Sequence, residues 1–167
     1  MDKEKELLYL LALQRVKGIG TINAKKLIAH LGTAEAVFKE KKSRLKSING
    51  IGDFAIQFLD DPHILTVAEK EVNYVLRNQI RFSTFSDLTY PEKLKTCADG
   101  PLVLFEDGHI HYDNQPIISI VGTRNMSSYG KEFIEKLMEE VKSFQPIIVS
   151  GFAYGVDITA HKAAMQQ

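Results

Sequence analysis

Residues 118–130 read Ile118-Ser119-Ile120-Val121-Gly122-Thr123-Arg124-Asn125-Met126-Ser127-Ser128-Tyr129-Gly130. Residues 117–121 form a short β-branched run of the kind found in strands covered on both faces. A glycine turn follows, and Ser127 or Ser128 is placed to cap a helix. That helix runs to about Ser143, with Phe133, Ile134, Leu137, Met138 and Val141 along one face. Residues 146–150 form a second buried strand, and residues 157–167 start another helix. Strand, helix, strand, helix in this order implies a parallel sheet joined by right-handed crossovers. The fold class expected here is α/β.

In an open parallel sheet, ligands bind beyond the carboxyl ends of the strands, where residues 122–127 sit. Gly122 allows close backbone approach, the helix N–H groups receive an anion, and Arg124 adds a planar cation suited to phosphate. The second strand ends in Ser150-Gly151-Phe152-Ala153-Tyr154-Gly155-Val156-Asp157-Ile158-Thr159-Ala160-His161. Gly151, Ala153 and Gly155 keep this second loop open. Asp157 is read first as a cap for the following helix. His161, one turn on, either bonds Asp157 or meets a ligand.

Neither loop is a G-x-G-x-x-G fingerprint or a Walker A sequence, which argues against simple NAD binding and ATP hydrolysis. The sequence spells no Ser–His–Asp triad and no catalytic carboxylate pair. His109 and His111 near Asp113 make a weak metal pattern that reads better as a polar turn. No cofactor and no metal is expected.

The first half of the chain is different. Leu7, Leu8, Leu10, Leu11 and Leu13 place a helix over residues 3–16, and Ala24, Leu27, Ile28 and Leu31 place another up to Gly32. Thr33 caps a short helix containing Ala36, Val37 and Phe38, and a basic, polar connector leads from it to Ile48. Asp61-Pro62 starts a longer helix that reaches about Asn78. Two stretches repeat one pattern, Val16-Lys17-Gly18-Ile19-Gly20 and Ile48-Asn49-Gly50-Ile51-Gly52, each leading into a helix. These glycine pairs resemble the helix-hairpin-helix motif, used in pairs to grip the DNA backbone. Lys25 and Lys26 follow Gly18 and Gly20 where they would support a phosphate. The second hairpin departs from the pattern, with Asp53, Gln57 and Asp60 in place of basic residues. The other reading of the pair is a compact scaffold or protein-docking module.

The chain has 167 residues, with 21 basic and 21 acidic side chains and 44% hydrophobic residues. Mean hydropathy is −0.13, an ordinary soluble composition that argues against disorder. No aliphatic run is long enough to span a bilayer, so no membrane partner is expected. The mixed charges at the N-terminus do not form a secretory signal, and one cysteine, Cys97, excludes a disulfide framework. A cytoplasmic protein is expected. The charge is uneven: residues 1–81 carry 14 basic and 10 acidic residues, a balance of +4, and the remainder balances it at −4. Residues 15–46 alone hold nine basic residues against Glu35 and Glu40. Such a patch attracts a phosphate backbone or is simply a solvated face.

Residues 80–85 alternate as a strand, so the division is placed at 79/80: an all-helical domain, 1–79, then an α/β domain, 80–167. Together the two loops of the α/β part resemble the signature of the DprA/Smf family, the bacterial DNA-processing proteins of natural transformation. Residues 121–130 are similar to its V-G-(S/T)-R-x-x-S-x-Y-G stretch, and residues 150–161 to its S-G-x-A-x-G-(I/V)-D-x-x-A-H stretch. Tyr90-Pro91-Glu92-Lys93-Leu94 and Pro101-Leu102-Val103-Leu104-Phe105 resemble its Y-P-x-x-L and P-x-x-L-(Y/F) elements.

The resemblance implies an extended Rossmann-like fold that binds single-stranded DNA in a positive pocket. It also implies loading of the RecA recombinase, self-association as a dimer, and no catalysis. On it, Arg124 binds phosphate, and Gly122, Thr123, Ser127, Ser150, Gly151 and Gly155 shape the pocket wall. The family's α/β domain continues beyond the stretch matched here. The parallel sheet is therefore expected to be incomplete, in a truncated form or one completed by swapping elements between chains. The other functional classes are a nucleotide-phosphate enzyme of the lysine-decarboxylase-like group, whose P-G-G-x-G-T loop this sequence lacks, and a helix-hairpin-helix interaction module.

Overall fold

In the computed structural model, which describes residues 2–108 and 115–166, the chain forms two compact units, Met1–His109 and Ile110–Gln167. The first unit is built on the leucines of α1 (Lys3–Arg15), capped by the Asp2 carboxylate, which accepts from the Glu4 N–H at 3.2 Å. Leu7, Leu10, Leu11 and Leu13 are all buried, each contributing roughly 1.5–3 kcal/mol. They pack with α2 (Thr21–Leu31), α3 (Ala34–Lys39) and α6 (Pro62–Arg77) around one core. Asp61 caps α6 by accepting from the His63 N–H at 2.9 Å, and Pro62 occupies the first turn.

The two glycine hairpins have matched backbones. Gly18 and Gly50 have φ of +86° and +85°, and the Ile19 and Ile51 N–H groups donate to Val16 and Ile48 carbonyls at 3.0 and 3.1 Å. Both isoleucines are buried. Gly20 and Gly52 stand at the N-caps of α2 and α5 (Asp53–Ile56). The hairpins also meet, because a Cβ on Gly18 would lie 3.1 Å from Phe54 Cδ1 and 3.3 Å from Ala55 Cβ. The basic connector expected before Ile48 instead includes a short helix, α4 (Lys42–Lys46). Its Leu45 is buried in the helical core, a contact that makes the helical turn worth forming.

The division expected at 79/80 also differs from the packing. β1 (Arg81–Thr84) pairs antiparallel with β2 (Val103–Glu106), with Arg81 opposite Glu106 and Thr84 opposite Val103. The buried Leu102 and Val103 belong to the helical core, so this ribbon and α7 (Glu92–Lys95) fold with the first unit. Tyr90 is buried there, donating its hydroxyl to the Pro101 carbonyl at 2.7 Å; burial pushes its pKa up.

The second unit is the α/β part. β3 (Ile117–Ser119) and β4 (Ile147–Val149) pair in parallel, Ile118 opposite Ile148. α8 (Ser128–Val141) and a 3-10 turn (Lys142–Phe144) connect them, and α9 (Val156–Met165) follows. Ile120, Ile134, Met138, Ala160 and Ala163 form its core. Two parallel strands joined through a helix match the α/β class that the sequence implied.

Candidate nucleic-acid interface

The loops after β3 and β4 lie side by side because one carboxylate holds both. Asp157 is 2% exposed, and its Oδ1 accepts from the Gly122 N–H while Oδ2 accepts from the Ala153 N–H, each at 3.3 Å. The cap expected of Asp157 is thus a clasp between loops. Nor does His161 bond Asp157: its Nε2 lies 2.7 Å from Ser150 Oγ, which also accepts from the Phe152 N–H at 3.0 Å.

Backbone contact closes the join. The Val156 N–H donates to the Thr123 carbonyl at 3.2 Å. Gly155 has φ +83°, and a Cβ there would lie 2.2 Å from the Thr123 oxygen and 2.5 Å from that of Arg124. Gly122 is also crowded, its Cβ position 2.6 Å from Val156 Cγ2. Thr123 Oγ1 accepts from the Asn125 N–H at 3.2 Å and so fixes the turn that carries Arg124. Ser127 caps α8, accepting from the Gly130 N–H at 3.2 Å.

The result is an open cleft of about 570 Å³ lined by Arg124, Gly151, Phe152, Ala153, Tyr154 and Ile158. It lies at the carboxyl ends of the strands, where an open α/β sheet binds ligands. A second hollow of about 360 Å³, near Gln115 and Pro146, lies at the amino ends and lacks these loops. Of the residues named from sequence, Arg124 and Gly151 line the cleft. Gly122, Thr123 and Gly155 hold the two loops together, Ser150 braces its own loop through His161 and the Phe152 N–H, and Ser127 anchors α8.

Sequence reasoning passed over Phe152 and Tyr154. Both line the cleft, 74% and 83% exposed, and Phe152 has φ +55°. A bulky residue held there costs on the order of 1–3 kcal/mol. The signal was legible: an aromatic between glycine and alanine in a loop has little local surface to pack on.

The first hairpin uses its cations internally. Lys25 Nζ donates to the Cys97 and Ala98 carbonyls at 3.2 and 3.3 Å, and Lys26 Nζ to the Asn49 carbonyl at 3.0 Å. Lys17 sits 5.5 and 5.7 Å above the Phe54 and Phe58 rings. Arg15 pairs with Glu71, Lys39 with Glu35, Lys42 with Asp60, Arg44 with Glu40 and Lys46 with Asp53. Eight of the nine basic residues between 15 and 46 are thereby engaged within the unit. Asp53 and Asp60, which stand in place of basic residues in the second hairpin, are partners of lysines. Glu35 is held below its ordinary 4.5 by hydrogen bonds from Lys39 and Lys5, and Lys39 is raised in turn. His109, His111 and Asp113 lie outside the described residues.

A family model, DNA recombination-mediator protein A, matches residues 81–167, just over half of the chain. The chain belongs to that family. The match begins at β1, whereas the packing divides the chain at 109/110. Protein Smf from Synechocystis sp. is 29% identical over 166 residues, which cover 96% of this chain and 42% of that protein. DNA processing protein DprA from Streptococcus pneumoniae is 36% identical over 88 residues, covering 52% of this chain and 31% of the relative. The DprA of Bacillus subtilis is 39% identical over 82 residues, 48% of this chain and 28% of the relative. The chain thus spans less than half the length of these curated relatives. The X-ray structure of DNA processing protein A from Streptococcus pneumoniae has the same fold, with a TM-score of 0.60 at 24% identity. That match covers 95% of this chain and 54% of the other. Among the described residues, no helix is long and apolar enough to cross a membrane.

Proposed function

We propose that this chain carries the single-stranded DNA site of a cytoplasmic protein of DNA uptake and natural transformation. In this role it shields incoming strands and hands them to the RecA recombinase, working as a dimer or element-swapped oligomer and by binding rather than catalysis. The observation that carries the reading is the cleft at the strand ends, with Arg124 on its rim and small residues keeping its floor open. A guanidinium beside an open, exposed loop suits a flexible single strand better than a rigid duplex. The curated relatives named for DNA processing point the same way.

A titration of labelled single- and double-stranded oligonucleotides at two salt concentrations tests this. Wild type prefers the single strand. Arg124→Ala lowers that affinity and reduces the magnitude of the slope of log K against log salt by about 0.7, the share of one phosphate contact. Equal, weak binding to both strands, unchanged in Arg124→Ala, refutes the reading.

For the helical unit a specific observation favours the docking or scaffold role over phosphate contact at Gly18, Gly20, Lys25 and Lys26. Both lysines are committed to carbonyls, while Ile22 and Phe54, just after the two glycine pairs, are 54% and 51% exposed. Changing Lys25 and Lys26 together to glutamate leaves the salt slope for oligonucleotides unchanged on this reading. A smaller slope restores the hairpin as a DNA contact.

A further inference from the structure

We propose that Phe152 and Tyr154 are base-stacking platforms, reading the bases of the same strand whose phosphate Arg124 holds; this rests on the single-stranded DNA function of the cleft. Both rings line the cleft with Arg124 and are mostly exposed. Neither contributes to the core of its unit. Phe152 is nevertheless fixed: its N–H donates to Ser150 Oγ at 3.0 Å, and its ring lies 5.6 Å from the His161 ring at 60°. Its left-handed φ of +55° is a strained conformation that a glycine would adopt freely. Strain and exposed apolar area both disfavour the free protein, and both make sense if the ring meets a ligand.

The chemistry of that ligand follows from what lies together. One guanidinium and two aromatic faces suit a chain that alternates anions with flat rings, which is single-stranded nucleic acid. Positions 152 and 154 fall at the unspecified places of the S-G-x-A-x-G stretch, so the platforms are a property of this chain rather than of the motif.

Fluorescence anisotropy with oligothymidylate, and with an abasic oligonucleotide of equal length and phosphate number, separates stacking from charge. Phe152→Gly, which relieves the strained backbone, and Tyr154→Ala at an exposed position each weaken oligothymidylate at least about fivefold. Neither changes binding of the abasic strand, whereas Arg124→Ala weakens both. The chain has no tryptophan, so Phe152→Trp installs a lone reporter that oligothymidylate quenches and the abasic strand does not. If the two aromatic variants bind oligothymidylate like wild type while Arg124→Ala weakens it, stacking is refuted and the cleft remains a DNA site. Equal losses on both strands also refute stacking, assigning the rings to loop shape. If wild type binds neither strand, the DNA reading of the cleft falls and stacking falls with it.

Discussion

Replacing Gly155 with alanine pulls the two cleft loops apart. The added Cβ would stand 2.2 Å from the Thr123 carbonyl oxygen and 2.5 Å from that of Arg124. A carbon and a carbonyl oxygen approach no closer than about 3.3 Å even in favourable C–H···O contacts, so the Thr123 carbonyl must retreat by about 1 Å. The Val156 N–H to Thr123 bond is already 3.2 Å long and is lost by that movement, at about 1 kcal/mol. Holding alanine at φ +83° adds on the order of 1–3 kcal/mol. The combined destabilisation of the second unit is about 2–4 kcal/mol. For a unit of this size each kcal/mol lowers Tm by roughly 4–8 °C, so its transition drops by about 8 °C or more. Arg124 moves with its own carbonyl, so affinity for single-stranded oligonucleotides falls as well. Calorimetry, hydrogen exchange at the Val156 amide and an oligonucleotide titration read the three effects. A variant that melts within about 2 °C of wild type and keeps Val156 protected refutes the close-approach account.

Three further outcomes follow from the same physical reasoning. Asp157→Asn keeps the shape but can accept only one of the two N–H groups, facing the other with its own NH₂. It destabilises the second unit by roughly 1–3 kcal/mol in urea unfolding, and a neutral result argues against the clasp. Lys26→Met removes the donor from the Asn49 carbonyl and lowers the stability of the first unit by about 0.5–1.5 kcal/mol, with oligonucleotide affinity unchanged. Glu35 has its folded pKa below the ordinary 4.5, so its contribution is present above 4.5 and is lost as pH falls through the lower folded value. Glu35→Gln therefore removes part of the acid loss of stability of the first unit, and identical acid profiles contradict the Lys39–Glu35–Lys5 cluster.

Much of the fold could be read locally. The leucine spacing of α1, the Asp61-Pro62 start of α6, the matched glycine hairpins and the strand–helix–strand order of 117–149 all appear where periodicity and caps put them. The chain division could not be read this way. β1 looks like the opening strand of an α/β unit, but Leu102 and Val103 bury against helices far away in sequence. Such a choice between two cores is invisible to local patterning.

The candidate site shows the same limit. Arg124 and the small residues around it were legible as phosphate chemistry because backbone access and a planar cation are properties of residue type. The clasp was not: Asp157 sits where a helix cap belongs, and only the neighbouring loop's Gly122 N–H gives it a second donor. The basic patch of 15–46 is the converse case. Counting charge in a window leaves out Glu71, Asp53 and Asp60, which reach the patch through the fold.

The sequence alone determined the longer helices, the repeated hairpin and the family signature, because each is written in residues a few positions apart, and the strand–helix–strand order implied the parallel pair. Only the tertiary structure decided which cations remain for a ligand, which core takes residues 81–106, and that Phe152 and Tyr154 stand open beside Arg124. Those outcomes depend on groups brought together across tens of residues, where burial and pairing compete and local pattern carries no record of the winner.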